Sequence, residues 1–121
     1  MLDPLAAFAG EVIDAIATEA GIDPDALGDL VASQQRLVWE FPGMTVAALV
    51  QDWRAALPED PLVGTDATAY YLSVRESVWA DLVGRLDLSA DEREAFRLVN
   101  ARQFERAVGE PADRTAVVLT K

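Results

Sequence analysis

The amino-acid sequence predicts a mostly helical α+β fold with about five helices and one pair of β-strands. Apolar residues recur at helical spacing over most of the chain, and residues that start or stop helices separate these stretches. Two short segments, near residues 69–72 and 115–120, are instead rich in β-branched and aromatic side chains. With 121 residues, of which 51% are hydrophobic, the chain is long enough to bury a core. We therefore expect one domain over residues 1–121, helical in about 1–57 and mixed in about 68–121.

Two Asp-Pro pairs, Asp3-Pro4 and Asp23-Pro24, predict the starts of the first two helices. Aspartate is a favoured N-cap residue, and proline fits the first helical turn because no N–H is needed there. Gly21 and the segment Phe41-Pro42-Gly43 are expected to end these helices. The apolar stripe of the first helix is Leu5, Phe8, Val12, Ile16 and Ala20, and that of the second is Leu27, Leu30, Val31, Gln34 and Val38.

A third helix is expected from about Thr45 to Leu57, before Pro58 and Pro61. It carries the clearest apolar face in the chain, formed by Val46, Leu49, Val50, Trp53 and Leu57. The stretch 58–66 is rich in proline and acidic residues and is predicted to be the longest loop. We expect it to separate the helical half from the mixed half.

The segment from Tyr70 to Trp79 changes from strand to helix periodicity. Alternate residues from Tyr70 onward share one side of an extended chain, which predicts a strand. Ser73 and Glu76 have the spacing of a capping box, so we expect the strand to end and a helix to begin near Ser73. The apolar stripe of that helix is Val74, Val78, Trp79, Leu82, Val83 and Leu86.

A second capping box, Ser89 and Glu92, predicts the last helix, which should reach Val108 before Gly109 and Pro111 end it. Its inward residues are expected to be Phe96, Val99, Gln103 and Ala107, with Phe104 at the edge. The segment 115–120 then reads as a strand that needs a partner, and residues 69–72 are the best candidate. We expect an antiparallel pair because two helices return the chain to its starting side, although a parallel pair also agrees with the pattern.

The balance of charge is the strongest compositional signal. The chain has 21 acidic and 10 basic residues, a net charge of −11, and its one lysine is Lys121. An acidic surface with almost no lysine resembles the proteins of halophiles that keep molar salt in the cytoplasm. At that ionic strength the Debye length is about 3 Å, so the self-repulsion is largely screened. We therefore interpret the acidity as adaptation to salt rather than as a sign of a basic partner.

Several classes of site have no sequence support. The chain has no cysteine and no histidine, which excludes thiolate chemistry and the commonest general base and metal ligand. The acids between Asp23 and Asp29 lack the pattern of a calcium loop, and we expect no metal, cofactor or catalytic residue. No apolar run is long enough to cross a membrane, and the N-terminus lacks a basic leader. We expect a soluble cytoplasmic protein.

Four arginines on the last helix, Arg93, Arg97, Arg102 and Arg106, form its most informative polar feature, which we call the arginine strip. They make two pairs at i, i+4 spacing, and like charges at that spacing need partners elsewhere. One interpretation is salt bridging to the acidic first two helices, since arginine suits such pairs. The other is a site for phosphate, nucleic acid or an acidic protein segment.

The leading hypothesis from the sequence is an interaction module without catalytic activity that binds a protein partner or forms a homodimer. Its contact surface is expected to include exposed aromatics near Tyr71 and the arginine strip. The alternative is a ligand-binding protein or enzyme that uses Arg75 and carboxylates in a cleft between the helical half and the β pair. A second alternative is an atypical nucleic-acid binder that uses the last helix, although a single arginine strip makes nucleic acid the weakest expectation.

Overall fold

A computed structural model describes residues 3–40, 43, 45–110 and 114–121. Within these ranges the chain forms five helices and three strands, so the predicted mostly helical α+β fold is confirmed. In chain order the elements are α1 (Gly10–Ala20), α2 (Pro24–Trp39), α3 (Val46–Ala56), β1 (Leu62–Thr65), β2 (Ala69–Val74), α4 (Glu76–Val83), α5 (Ala90–Val108) and β3 (Thr115–Thr120).

The predicted strand pair is present and antiparallel. β2 and β3 pair along their whole length, from Ala69 opposite Thr120 to Val74 opposite Thr115. All six residues of β3 are buried, which is why its composition is apolar and β-branched without alternation. The strand therefore holds the C-terminal segment inside the fold.

A third strand was not predicted. β1 pairs antiparallel with β2, so the sheet order is β1-β2-β3, and the expected loop 58–66 contains a strand. The register shifts between Leu62 and Gly64, and the extra residue, Val63, is 52% exposed. The strand has only four residues and lies within a stretch rich in proline and acidic residues, so its sequence carried little strand signal. Gly64 fits here because a Cβ would lie 2.9 Å from Val108.

Asp66 organises the turn between β1 and β2. Its Oδ1 accepts hydrogen bonds from the backbone N–H groups of Thr68 and Ala69 and from the Thr68 hydroxyl, and its Oδ2 accepts one from the Tyr71 hydroxyl at 2.6 Å. These bonds, that of Tyr71 above all, lower the pKa of Asp66. Burial and the same bond raise the pKa of Tyr71 to about 12. The turn is thus fixed by one carboxylate.

We expect Asp66→Ala to lower the free energy of unfolding by about 1–2 kcal/mol at neutral pH, because solvent weakens each of the four lost bonds. The pKa of Asp66 is lowered in the fold, so its stabilisation is complete above the ordinary value of 3.8 and is lost as the pH falls below it. Urea unfolding at neutral and strongly acidic pH measures both effects. A difference between variant and wild type that stays constant with pH would contradict this role.

The outer edge of β3 is closed by side chains instead of by another strand. Gln35 donates to the Val118 carbonyl at 2.9 Å and accepts from the Thr120 N–H at 2.7 Å. Asn100 accepts from the Val118 N–H at 2.9 Å, and the Trp39 indole donates to the Thr120 carbonyl at 2.7 Å. An open strand edge invites pairing with other chains, so these side chains both satisfy buried groups and protect the edge.

The apolar core lies between the sheet and the helices. α5 packs on β3 and α1, and α2 packs on α1 and α5. Trp79 and Phe96 pack with ring centroids 6.3 Å apart, and Tyr71 meets Phe104 edge-on at 6.4 Å. The largest fully buried apolar side chains are Trp79, Phe96, Phe104, Ile16, Leu27, Leu72 and Leu119.

Two of the predicted capping signals are confirmed. Asp23 caps α2, with Pro24 in its first turn, and Ser89 forms a complete capping box with Glu92 on α5. The third helix begins near Thr45 as expected, and the Thr45 side chain caps it. The prediction from Asp3-Pro4 is wrong, because α1 begins at Gly10 and the Asp3 carboxylate instead accepts from the Leu5 N–H in a turn. Gly21 ends α1 in the left-handed conformation as expected. The expected stop at Phe41-Pro42 lies outside the described residues.

The predicted capping box of Ser73 and Glu76 is wrong. β2 continues to Val74, and the Ser73 N–H donates to the Pro61 carbonyl instead of starting a helix. Arg75 is the N-cap residue of α4 and makes no side-chain capping bond. The Glu76 carboxylate contacts α5 and β3, so a tertiary contact replaces the local one.

The predicted orientation of α5 is also partly wrong. Phe96 and Val99 are buried as expected, but Phe104 is fully buried instead of lying at the edge, and Ala107 is exposed. Asn100 takes the inward position between them because its amide bonds the Phe96 carbonyl and the backbone of β3. Because Asn100 is polar, the predicted inward face of α5 was displaced by about one helical position.

Candidate functional site

An open groove lies between the C-terminal half of α2, the length of α3 and the helix α4. Its volume is about 340 Å³, and its walls are mostly apolar. The groove is partly open to solvent. It is lined by Leu37, Val38, Leu49, Asp52, Trp53, Leu57, Val78, Asp81, Leu82 and Arg85, and we call this the α2–α3–α4 groove.

The apolar walls of the groove come from helical spacing. Val78 and Leu82 stand one turn apart on α4, and Leu49 and Trp53 stand one turn apart on α3. The apolar stripe of α3 is wider than its contact with the core. Val46 and Val50 are buried in the core, whereas Leu49, Trp53 and Leu57 are only partly covered and face the groove. The groove is therefore the part of the α3 face that the described residues leave partly uncovered.

Three charged side chains reach the groove. Asp52 stands on α3, Asp81 stands on α4, and Arg85 lies just after α4, one turn beyond Asp81. Within the described part of the chain, Asp52 and Asp81 make no hydrogen bond or ion pair. With Arg85 counted, the groove carries a formal charge of −1 on otherwise apolar walls. It can therefore accommodate apolar groups together with a cation.

Arg97 of the arginine strip is held by its own chain. Its guanidinium makes a bidentate contact with Glu76 and lies 4.4 Å from the centre of the Trp79 ring. Thr115 also donates to Glu76 at 3.1 Å, so α4, α5 and β3 meet at this carboxylate. Arg97 and then Thr115 lower the pKa of Glu76, and the bond to Glu76 raises the pKa of Arg97. The cluster links three elements of the fold.

The other arginines of the strip divide into two groups. Arg102 pairs with Glu19 at 3.5 Å and Arg106 with Glu11 at 2.8 Å, so the predicted bridging to the acidic N-terminal helices is confirmed for these two. Arg93 makes no ion pair within the described residues, although its charge contributes to the lowered pKa of Glu76. Arg75 is exposed after β2 and likewise shows no ion pair there. The structure does not bring Arg75 or the strip to the groove.

The expected exposure of aromatic side chains near Tyr71 is wrong. Tyr71 is 3% exposed, and its hydroxyl is bound to Asp66. Trp79 and Phe96 are buried, and Trp39, Trp53 and Tyr70 are partly covered. Phe41 lies outside the described residues. Among the described residues, the large apolar side chains that the structure leaves exposed are Val63 and Val108.

None of the predicted site residues lines the groove, and sequence reasoning did not identify its residues as a site. One signal was available, since the apolar face of α3 was predicted almost residue by residue. Periodicity, however, reports an apolar face and not whether the fold covers all of it. The Asp52 and Asp81 carboxylates look like ordinary surface acids until α3 and α4 are placed together.

Two further expectations can be compared with the described ranges. Among those residues, no group of three or more acidic side chains is arranged to hold a metal ion. No described helix combines the length and apolar character that crossing a bilayer requires.

The fold and the groove together define a small, mostly helical α+β domain with a three-stranded antiparallel sheet in its described part and an open apolar groove on one side. The chain belongs to the family described as Domain of unknown function (DUF8048), whose model matches residues 6–121. No curated protein and no solved structure matches the chain.

Proposed function

We propose that this protein is a small interaction module without catalytic activity and that its contact surface for a protein partner is the α2–α3–α4 groove. The observation that carries the proposal is the groove itself, in which the partly covered side chains Leu49, Trp53 and Leu82 form apolar walls beside unpaired carboxylates. Partly exposed aromatic and aliphatic side chains in a concave surface are typical anchors of protein interfaces.

The titratable groups with shifted pKa values support a non-catalytic role. Asp60, Asp66, Tyr71, Glu76 and Arg97 all lie outside the groove. Each of them is held by a structural contact, for example the bidentate contact between Arg54 and Asp60. Catalytic groups are expected to combine a shifted pKa with access to a pocket, and these shifts have local structural causes instead.

The charge of the chain supports a halophilic cytoplasm as its environment. A net charge of −11 with a single lysine suits molar salt, where exposed charges are screened. Arg102 and Arg106 are already neutralised by α1, so the strip offers less positive charge to a nucleic acid than the sequence suggested. These observations favour a protein partner over a phosphate backbone.

The described surface favours a different protein over a second copy of the chain. Stable homodimers usually bury a broad apolar face. Within the described ranges, Val63 and Val108 are the large apolar side chains that are well exposed, and neither lies in the groove. We therefore expect a monomer that binds a partner.

A second candidate function is binding of a small ligand. The groove volume of about 340 Å³ is at the lower end of the range for ligand pockets, roughly 300–1,000 Å³. Convergent polar groups, Asp52, Asp81 and Arg85, also agree with such a site, although it is placed elsewhere than the cleft expected from the sequence.

Site-specific photo-crosslinking in the cells that make the protein tests the proposal. A photoreactive phenylalanine analogue is placed at Leu49 or Leu82 in the groove, and at Ala26 or Glu105 on other exposed faces as matched controls. We expect one discrete adduct from the groove positions and none from the controls, and the purified partner should bind wild type but not Trp53→Ala. Light scattering in molar potassium chloride should show a monomer.

Adducts of equal yield from both faces, or from neither face of a folded protein, would contradict the proposal. An adduct with the mass of two copies would show self-association instead. An abundant cellular protein that crosslinks non-specifically should be recovered from the control positions as well. Its recovery from the groove positions therefore does not by itself support the proposal.

A further inference from the structure

Two carboxylates, Asp52 and Asp81, line the groove. Asp52 and Asp81 have no ion pair within the described residues and stand on opposite walls of an apolar groove. Six other carboxylates each pair with an arginine, namely Glu11, Glu19, Glu59, Asp60, Glu76 and Glu94. The fold thus provides arginine partners at its helix and loop contacts and leaves the groove with an excess of negative charge.

The shape of the groove indicates what kind of molecule fits. Sites for small ligands bury about 70–90% of the ligand. A half-open groove between helices also fits a segment of a protein chain, part of which stays in solvent. Three helices form the walls, and the groove offers room for a few aliphatic side chains in its 340 Å³. An amphipathic helix that lies along such a groove inserts side chains at i, i+3 or i+4 and i+7.

We propose that the occupant of the groove is a cationic amphipathic helix of a partner protein, which places aliphatic side chains against Leu49, Trp53 and Leu82 and a lysine or arginine beside Asp52 and Asp81. This inference rests on the proposed function and adds the chemistry of the partner.

Desolvation explains why the partner must carry a cation. Asp52 and Asp81 are exposed in the free protein. A helix that lies along the groove and covers them removes their water, and a carboxylate buried without a partner is strongly destabilised. Neither carboxylate has an ion pair within the described residues, so both depend on the partner for a counter-charge. A helix with acidic residues at the same positions is rejected because it adds like charges to the desolvated pair.

This selectivity persists in strong salt. Long-range attraction between an acidic protein and a cationic segment is lost when the Debye length falls to about 3 Å. The contact of a cation with a partly desolvated carboxylate acts at shorter range and is screened less. Salt therefore removes non-specific attraction and leaves the discrimination made inside the groove.

The test uses three designed helical peptides and isothermal titration calorimetry in molar potassium chloride. The first peptide carries leucines at i, i+4 and i+7 with lysines beside them, the second replaces the lysines by glutamates, and the third keeps the lysines but replaces the leucines by glutamines. We expect the leucine–lysine peptide to bind at least about tenfold more tightly than either of the others.

Two charge variants assign the discrimination to the groove. Asp52→Asn with Asp81→Asn should bring the affinities for the two leucine peptides close to each other. Asp14→Asn with Asp29→Asn changes the net charge by the same amount on exposed side chains of α1 and α2 that make no side-chain contact in the described residues, and it should leave the preference intact.

Each other outcome overturns a defined part of the inference. Equal binding of both leucine peptides at the groove would refute the cationic partner while leaving the groove as a contact surface. Equal binding of both lysine peptides would show that the leucines do not contribute and that the peptides are held only by electrostatic attraction to an acidic protein. No binding by either leucine peptide would refute the proposed function as well, and tight binding of hexylamine alone would show a small-ligand site instead.

Discussion

Replacing Gln35 by leucine should lower the free energy of unfolding by about 2–6 kcal/mol, because it leaves two buried backbone groups of β3 without partners at roughly 1–3 kcal/mol each. Those groups are the Val118 carbonyl and the Thr120 N–H, both of which Gln35 now bonds. Urea unfolding followed by circular dichroism at fixed potassium chloride concentration measures the change. Loss of edge protection should also increase aggregation of the variant.

The neighbouring residue Gln34 is the matched control. It is as deeply buried as Gln35, but its Nε2 has no hydrogen-bond partner within the described residues. Its Oε1 accepts a hydrogen bond from Gln35. In the Gln34 variant, Gln35 can still donate to the Val118 carbonyl. Gln34→Leu should therefore cost less than Gln35→Leu, because it removes an unsatisfied donor and leaves only one N–H of Gln35 without an acceptor. A larger loss from Gln34→Leu than from Gln35→Leu would contradict the assigned role of Gln35.

Phe104→Ala should cost about 3–5 kcal/mol, the range for truncating a fully buried phenylalanine. Phe104 has no exposed surface and meets the Tyr71 ring edge-on, so the cavity would open beneath β2. Thermal and urea unfolding of the two proteins measure the difference.

Ala107→Gln provides the control for the orientation of α5. The structure places Ala107 in solvent, so a glutamine there should change stability by no more than about 0.5 kcal/mol. If α5 instead presented Ala107 inward, as its sequence pattern predicted, this substitution would be costly and Phe104→Ala would be mild. The pair of variants therefore separates the two orientations.

Local signals in the sequence predicted most of the elements. Asp23 and the pair Ser89 and Glu92 each satisfy backbone groups within a few residues, so their effect is visible in the local sequence. The composition of residues 115–120 predicted a strand for a similar reason, since the buried β3 needs β-branched apolar side chains on both faces.

The errors occur where a partner is distant in sequence. Ser73 and Glu76 have the spacing of a capping box, but Glu76 is bound by Arg97 and Thr115. Gln35 and Asn100 are polar residues in inward positions because their partners are backbone groups of β3, 83–85 and 18 residues away. Helical periodicity treats such residues as surface positions, which explains the misplaced face of α5.

The candidate site could be predicted only in part. The apolar face of α3 was found from its spacing, and Trp53 was among its residues. Val46 and Val50 fill the core, whereas Leu49 and Trp53 remain partly uncovered. This division depends on how α3 packs beside α2 and α4. Local sequence does not determine that packing. The arginine strip stood out because its charges are clustered in sequence, yet three of its four members bind carboxylates of the same chain.

The central claim is that the α2–α3–α4 groove, and not the arginine strip, is the contact surface. The three tryptophans report on different places, because Trp53 lines the groove, Trp79 lies beneath Arg97 and Trp39 bonds the edge of β3. Fluorine NMR of protein labelled with fluorotryptophan, assigned with Trp53→Phe, can therefore follow addition of the leucine–lysine peptide. We predict that the Trp53 resonance shifts while that of Trp79 stays in place. A shift of the Trp79 resonance with Trp53 unchanged would contradict the claim.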